Sequence, residues 1–242
     1  MHTFYVFPEN VSEGYFLIDK QQARHAYLVL RLVVGDEVLA VDGRGMRYLG
    51  VIESITSNSA KIKIKQKIFI QPESLEFVLA QAIPKKSKFD SIVDNVTQIG
   101  VKTIIPLLTQ RTIVKIQDAK KQEKIVRWQK IALETIKQCG SAYVPEIRPI
   151  TKFMDLVQTI NQYDRAFLCA CAKDAVSLKT IIKAHKLEGK ILVLIGPEGD
   201  FSEQEIAQAK LKGAFVVSLG KNVLRSENAA GVILSILHYE WT

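Results

Sequence analysis

Two junctions near the end of the chain, residues 190–205 and 216–230, restrict the folds open to it. Each begins with a short run of apolar, mostly β-branched residues, which predicts a buried strand. Each then turns at glycine, where the backbone can approach a ligand without an intervening side chain. Each ends at the predicted start of a helix. Ligands of open α/β sheets bind at the carboxyl ends of strands, so the two loops predict one pocket with two walls.

The rest of the chain divides into two kinds of sequence. Residues 1–71 hold short alternating strands separated by turns, including a run that places Ile62 and Ile64 against Lys61, Lys63 and Lys65. This spacing predicts a small β-barrel domain. Strands and helices alternate over residues 72–242, which predicts a mostly parallel sheet with helices on its faces. Pro106, inside the predicted strand that begins at Thr103, favours an edge or bulge position there.

Composition limits the compartment and the class of protein. The chain has 242 residues, is 48% hydrophobic and contains no apolar run long enough to span a bilayer. The N-terminal residues lack the basic-then-apolar plan of a signal peptide. Three cysteines do not make a disulfide framework. We therefore expect reduced thiols, a cytoplasmic location and no membrane association.

Basic residues concentrate in the middle of the chain. The formal net charge is +8, and residues 84–137 contain twelve basic and five acidic side chains. A block of this kind suits a nucleic-acid phosphate backbone, although a solvated basic face would look the same. The four histidines show no metal-ligand spacing, and we expect no metal.

The two junction loops carry the chemistry. Ser202 and Glu205 form a capping-box sequence, which fixes the start of a helix and holds the preceding loop. The loop lacks the lysine and hydroxyl of a phosphate-binding P-loop and the Gly-x-Gly-x-x-Gly of dinucleotide sites. In the second loop Ser226 is expected to cap the last helix, with Glu227 in its first turn. Arg225 places positive charge at the positive end of that helix, which favours a functional role.

These residues resemble a known family. Residues 195–202 and 218–229, together with Leu79–Lys85, Ile104–Leu107, Arg127–Ile131, Val29–Arg31 and Asp42–Gly45, are similar to the SPOUT RNA methyltransferases. The closest resemblance is to the RsmE branch, which methylates N3 of a uridine in 16S ribosomal RNA of the small subunit. The resemblance covers nearly the whole chain. The chain departs from the usual pattern at four points: Gln98–Ile99, Ser141, Asp200 and Ser226 with Asn228.

The resemblance implies a fold and an assembly. We expect an α/β SPOUT domain with a C-terminal trefoil knot over residues 72–242 and a PUA-like RNA-binding β-barrel over residues 1–71. The implied cofactor is S-adenosylmethionine, bound within the knot loops. The implied partners are 16S ribosomal RNA in the small ribosomal subunit and a second copy of the chain in a homodimer.

The implied reaction needs an acceptor nitrogen freed of its proton. We expect Arg225 to stabilise the resulting uracil anion, and Glu198 or Glu227 to accept the proton directly or through water. Both acids also have structural interpretations, as a loop anchor and as a partner of the helix dipole. The residues expected to bind the cofactor are Leu194, Ile195, Gly196, Pro197, Glu198, Gly199, Leu219, Gly220, Val223, Leu224 and Asn228.

RNA phosphates are expected to meet basic residues of both domains. The candidates are Arg24, Arg31, Arg44, Arg47, Lys85, Lys86, Lys88 and Arg111. Two alternatives stay open at this stage. One is a ribosome-assembly factor that binds RNA but has lost catalysis; the other is a SPOUT enzyme acting on another RNA position.

Overall fold

The computed structural model describes residues 1–85, 88–114, 116–184 and 188–241. Internal packing divides the chain into two compact units. Unit 1 comprises Met1–Pro72 and Leu133–Val144, and unit 2 comprises Glu73–Ala132 and Pro145–Thr242. Residues 133–144 had been assigned by sequence to the second domain. Among the described residues, every helix is too short or too polar to cross a bilayer.

Unit 1, all of whose residues are described, is built on a six-stranded sheet. Its strands are β1 (His2–Tyr5), β2 (Val11–Ser12), β3 (Tyr15–Ile18), β4 (Glu37–Val41), β5 (Met46–Ile55) and β6 (Ala60–Phe69). The strand order is β1-β4-β5-β6-β3-β2, and the β1–β4 pair is parallel while the others are antiparallel. Phe16 and Ile62 are fully buried in its core.

The alternation predicted for β6 is present. Ile62 is buried, whereas Lys61 pairs with Glu53 at 2.7 Å and lies over the ring of Tyr15. The period of two thus sets one face inward and a basic face outward.

A short helix follows β3. Helix α1 (Lys20–Arg24) begins where the carboxylate of Asp19 accepts a hydrogen bond from the backbone N–H of Gln22. It continues as a π-helical turn over His25–Val29. The helical stretch therefore begins at Lys20, because the cap lies at Asp19.

Unit 2 is built on a parallel sheet. In its described residues the strands are β7 (Leu75–Ala82), β8 (Thr103–Leu108), β9 (Glu146–Ile147), β10 (Thr151–Lys152), β11 (Arg165–Cys169), β12 (Val176–Ser177), β13 (Gly189–Ile195) and β14 (Phe215–Ser218). The order is β10-β8-β7-β13-β11-β14-β12, and β9 also pairs with β8. Every pair is parallel, as the alternation of strands and helices predicted.

Helices connect these strands. They are α2 (Lys88–Gln98), α3 (Asp118–Cys139), α4 (Phe153–Val157), α5 (Leu178–Ala184), α6 (Glu203–Leu211) and α7 (Ser226–Trp241). The last seven residues of α3 belong to unit 1. The core of unit 2 includes Phe153 and Phe201, whose ring centroids are 5.3 Å apart, and the fully buried Leu192 and Leu194 of β13.

Pro106 lies at a position of β8 where its missing N–H removes no hydrogen bond to a paired strand. On one side β8 pairs with β7 through the whole of that stretch. On the other side the pairing with β9 ends at Ile104 and the pairing with β10 begins at Leu107. Pro106 therefore faces a gap between two short strands, which is the local edge that its presence in the sequence predicted.

Candidate active site

A cavity of about 540 Å³ lies in unit 2 at the carboxyl ends of three adjacent strands, β13, β11 and β14. Its walls come from four segments and one side chain of α2. They are residues 169–172 at the end of β11, residues 195–198 with Asp200 after β13, residues 217–225 after β14, the first turn of α7, and Lys88. Because the strands are parallel, their carboxyl ends share one edge of the sheet, where ligands of such folds bind.

The loop after β13, residues 196–201, is held by a carboxylate. Asp200 adopts a left-handed backbone conformation, with φ of 61°. Its two side-chain oxygens accept hydrogen bonds of 2.8 Å from the backbone N–H groups of Cys171 and Phe201. Asp200 thus ties this loop to the segment after β11. Aspartate tolerates the left-handed region better than most residues because its short polar chain can bond locally.

The same loop is held from the other side by residues that follow β8. Arg111 Nη1 donates to the carbonyl of Gly199 at 2.7 Å and to that of Phe201 at 3.3 Å. Glu205 completes the predicted capping box with Ser202 and also accepts a hydrogen bond from the backbone of Gln110 at 2.8 Å. The capping box is therefore confirmed, and its carboxylate has a second structural partner.

Ser226 joins three elements inside the protein. Its hydroxyl donates to the carbonyl of Gly196 at 2.6 Å and accepts from the side-chain amide of Gln81 at 2.9 Å. All three groups are buried. The prediction that Ser226 caps α7 is not met: the helix begins at Ser226, and its hydroxyl bonds instead with the ends of β7 and β13. The carbonyl of Arg225 accepts the first helical N–H groups, from Asn228 and Ala229.

The acids of the cavity differ in their surroundings. The ammonium group of Lys88 donates a hydrogen bond of 2.7 Å to the carboxylate of Glu227, which makes the two an ion pair. This contact, and then a hydrogen bond from the backbone of Glu227 itself, lower the pKa of Glu227 below its usual range. Glu198 is exposed and accepts a hydrogen bond of 3.1 Å from the backbone N–H of Lys85. Glu227 is therefore a weaker base than an ordinary glutamate.

Two cysteine side chains meet the same cavity. Burial, and then the nearby carboxylate of Asp200, raise the pKa values of Cys169 and Cys171 above that of an ordinary thiol. Both are free cysteines and both are poor nucleophiles in this setting. The sequence analysis missed segment 169–172 as part of the site, although the carboxyl end of β11 lies at the same sheet edge as those of β13 and β14.

The structure brings most of the predicted site residues together. The cavity is lined by all three catalytic candidates, Arg225, Glu198 and Glu227, and by seven further predicted residues: Ile195, Gly196, Pro197, Leu219, Gly220, Val223 and Leu224. Three predicted residues lie off its wall. Leu194 is fully buried in the core, the carbonyl of Gly199 accepts a hydrogen bond from Arg111, and Asn228 is exposed on α7.

The predicted RNA-binding cations have varied surroundings. Arg24, Arg31, Arg44 and Lys85 are exposed. Arg47 donates to the carbonyl of Gly140 at 2.7 Å within unit 1, and Lys88 and Arg111 hold the two loops described above. Lys86 lies outside the described residues. Three of these guanidinium and ammonium groups therefore have structural partners that the sequence did not reveal.

Comparison with known proteins identifies the family. A family model described as an RNA methyltransferase domain matches residues 71–238, and one described as an RNA methyltransferase PUA domain matches residues 18–65. A Synechocystis protein named ribosomal RNA small subunit methyltransferase E is 31% identical over 232 residues, covering 95% of this chain and 75% of the relative. The chain belongs to the ribosomal RNA small subunit methyltransferase E family.

Other members of the methyltransferase E family agree with this assignment. The Bacillus subtilis member is 25% identical over 233 residues, covering 93% of this chain and 90% of the relative. The structure of the Neisseria gonorrhoeae member, bound to S-adenosyl methionine, is 27% identical and has a TM-score of 0.88, covering 100% of this chain and 98% of that chain. The predicted resemblance is thus confirmed, as is a methyltransferase fold with a PUA-like part.

Proposed function

We propose that the protein transfers a methyl group from S-adenosylmethionine to N3 of a uridine in 16S ribosomal RNA of the small subunit. The observation that carries the proposal is the cavity at the carboxyl ends of β13, β11 and β14, in a chain of the methyltransferase E family. The Neisseria gonorrhoeae relative binds S-adenosyl methionine.

The cavity fits this cofactor in size and in chemistry. Its volume of about 540 Å³ lies in the range of sites for molecules of this size. Ile195, Val217, Leu219 and Leu224 supply apolar walls for an adenine ring. At Gly220, with φ of 141°, an added Cβ would meet nothing within 4 Å, so the backbone there borders open space. When bound, the cofactor supplies an electrophilic methyl group.

Arg225 is the proposed stabiliser of the acceptor. Uracil N3 becomes a nucleophile only when its proton leaves, and the negative charge then spreads to O2 and O4. The exposed guanidinium of Arg225 lies on the cavity wall and stays protonated at neutral pH. A cation held at this edge stabilises the developing anion more than the neutral base, which is what accelerates the reaction.

Glu198 is the proposed proton acceptor, directly or through one water. Both Glu198 and Glu227 line the cavity, but Glu227 is engaged with Lys88 and its pKa is lowered. A carboxylate stabilised in its charged form is a weaker base. We assign Glu227 to hold Lys88 at the cavity, where its ammonium group adds positive charge for an RNA phosphate.

The remaining elements of the proposal concern assembly. We propose a PUA-like RNA-binding domain over residues 1–71 and a SPOUT domain over 72–242 that ends in a trefoil knot. The match to the RNA methyltransferase and PUA domain families supports this division. We also propose a homodimer, supported by the exposed apolar Val232 and Tyr239 of α7. The ribosomal substrate and the free cysteines support a cytoplasmic location.

The test is transfer of labelled methyl from S-adenosylmethionine to unmodified small subunits and, in parallel, to naked 16S ribosomal RNA. Nucleoside analysis then identifies the product. We expect label in 3-methyluridine. Label in another nucleoside, or cofactor binding without transfer to either RNA, would refute the proposed acceptor.

A further inference from the structure

Asp200 brings a negative charge to the wall of the cavity. The residue is half-buried and lies where the loop after β13 meets the segment after β11. Its two carboxylate oxygens each accept one hydrogen bond of 2.8 Å, from the backbone N–H groups of Cys171 and Phe201. Both donors are neutral, so they orient the carboxylate and leave its charge uncompensated. Each oxygen also keeps a further lone pair for another donor.

The wall segments around Asp200 supply no charge of opposite sign. Their side chains are uncharged over residues 169–172, 195–197 and 217–220. Within the described part of the chain, no lysine or arginine forms an ion pair with Asp200. Burial, and then the charge of Asp200, raise the pKa of Cys171, so this charge acts on a group that borders the cavity. Apolar surroundings of this kind strengthen the attraction between Asp200 and a cation.

The two other acids of the cavity are placed differently. Glu227 is paired with the ammonium group of Lys88. Glu198 is exposed to solvent, which screens its charge. Asp200 combines an unpaired charge with a fixed position, because its two hydrogen bonds hold the carboxylate against the ends of two strands. A carboxylate held in this way favours a ligand that brings positive charge into the cavity.

We propose that Asp200 binds the positive charge of the cofactor. S-Adenosylmethionine carries two cationic groups, the sulfonium that bears the methyl group and the ammonium of its amino-acid part. A fixed carboxylate selects this molecule against neutral adenine nucleosides of similar shape, because opposite charges attract strongly where little water screens them. The proposal rests on the proposed function for the identity of the cofactor, and it adds the residue that recognises the charge of that cofactor.

The experiment measures, by calorimetry, the binding of three probes to the full-length protein and to Asp200→Asn. S-Adenosylmethionine carries both cations, S-adenosylhomocysteine carries the ammonium alone, and methylthioadenosine carries neither. We expect the variant to bind S-adenosylmethionine about tenfold more weakly, as for loss of one partly screened charge contact, and methylthioadenosine nearly as the parent does. A matching loss for S-adenosylhomocysteine assigns the contact to the ammonium, and unchanged binding of it assigns the contact to the sulfonium; either result supports the proposal.

Two further variants keep this test decisive. Asp200→Gly removes the carboxylate at a backbone φ of 61°, which glycine adopts without strain, and should show the same selective loss. It also lacks the amide nitrogen that Asp200→Asn would set against a backbone N–H. Asp174→Asn is the matched control, because it removes a carboxylate that pairs with Lys210 and lies off the cavity wall. It should bind all three probes as the parent does.

Parental affinity of Asp200→Asn for S-adenosylmethionine would overturn the proposal. An equal loss for all three probes would do the same, because a purely structural role of Asp200 would weaken the neutral probe as much as the charged ones. The binding assay needs neither RNA nor methyl transfer. Failure of the proposed function is therefore seen separately, as a parent protein that does not bind S-adenosylmethionine or that binds it and transfers no label.

Discussion

Removal of the Ser226 hydroxyl should destabilise the protein and loosen the cofactor loop together. In Ser226→Ala the Gly196 carbonyl loses its 2.6 Å donor, and the Gln81 amide loses its 2.9 Å acceptor. Gln81 keeps one bond, to the carbonyl of Ala82 at 3.0 Å. Because an unsatisfied buried polar group costs about 1–3 kcal/mol, we expect a total loss near 2 kcal/mol, with Gly196 carrying most of it.

Thermal unfolding measures this loss. For a chain of this length about 1 kcal/mol shifts the midpoint by roughly 2–4 °C, so Ser226→Ala should melt roughly 4–8 °C lower. Its affinity for S-adenosylmethionine, measured by calorimetry, should fall as well, because Gly196 forms part of the cavity wall.

Ser226→Thr is the matched control. It keeps the hydroxyl and should retain most of the stability and affinity. The account of this hydrogen-bonded junction is refuted if Ser226→Ala melts within about 1 °C of the parent, or if the threonine variant is as damaged as the alanine variant.

Three other changes test the remaining assignments. Arg225→Ala should lower the single-turnover rate about 10²–10³-fold with cofactor affinity nearly unchanged; a near-parental rate would remove Arg225 from the chemistry. Lys88→Met should destabilise the protein at neutral pH, because the lowered pKa of Glu227 contributes stability above the unfolded-state pKa of about 4.3. Denaturant titrations should show that the difference in free energy of unfolding between parent and variant decreases as the pH falls below about 4. A gap independent of pH would mean that packing, and not charge, accounts for it. Gly45→Ala should lower the melting temperature, because the residue has φ of 108° and the new Cβ would lie 2.5 Å from the Tyr143 hydroxyl; unchanged melting would contradict that crowding.

Local sequence signals were reliable where neighbouring residues suffice. The capping box at Ser202 and Glu205 forms as predicted, because both partners lie within one helical turn. The alternation of lysine and isoleucine in β6 sets its two faces, because side-chain direction in a strand has a period of two. The carboxyl-edge position of the two loops also followed, since parallel strands align their ends.

Partners distant in the sequence escaped prediction. Ser226 was expected to cap its own helix, but its hydroxyl bonds with Gln81, 145 residues away. Lys88 and Arg111 were expected at RNA phosphates, and their described hydrogen bonds go to Glu227 and Gly199. A charged group or a hydroxyl forms hydrogen bonds with the groups that the fold places next to it. Those neighbours are distant in the sequence, so local sequence patterns do not reveal them.

The sequence by itself determined the parallel α/β class, the β-rich first part, the glycine turns of the cavity and the family. These depend on periodicity, backbone conformational limits and short motifs, all of which are local. Only the tertiary structure decided that Cys169–Ala172 form a further wall, that residues 133–144 pack into unit 1, and that Glu227 pairs with Lys88. Each of these depends on contacts between distant segments, whose geometry is set when the sheet orders its strands.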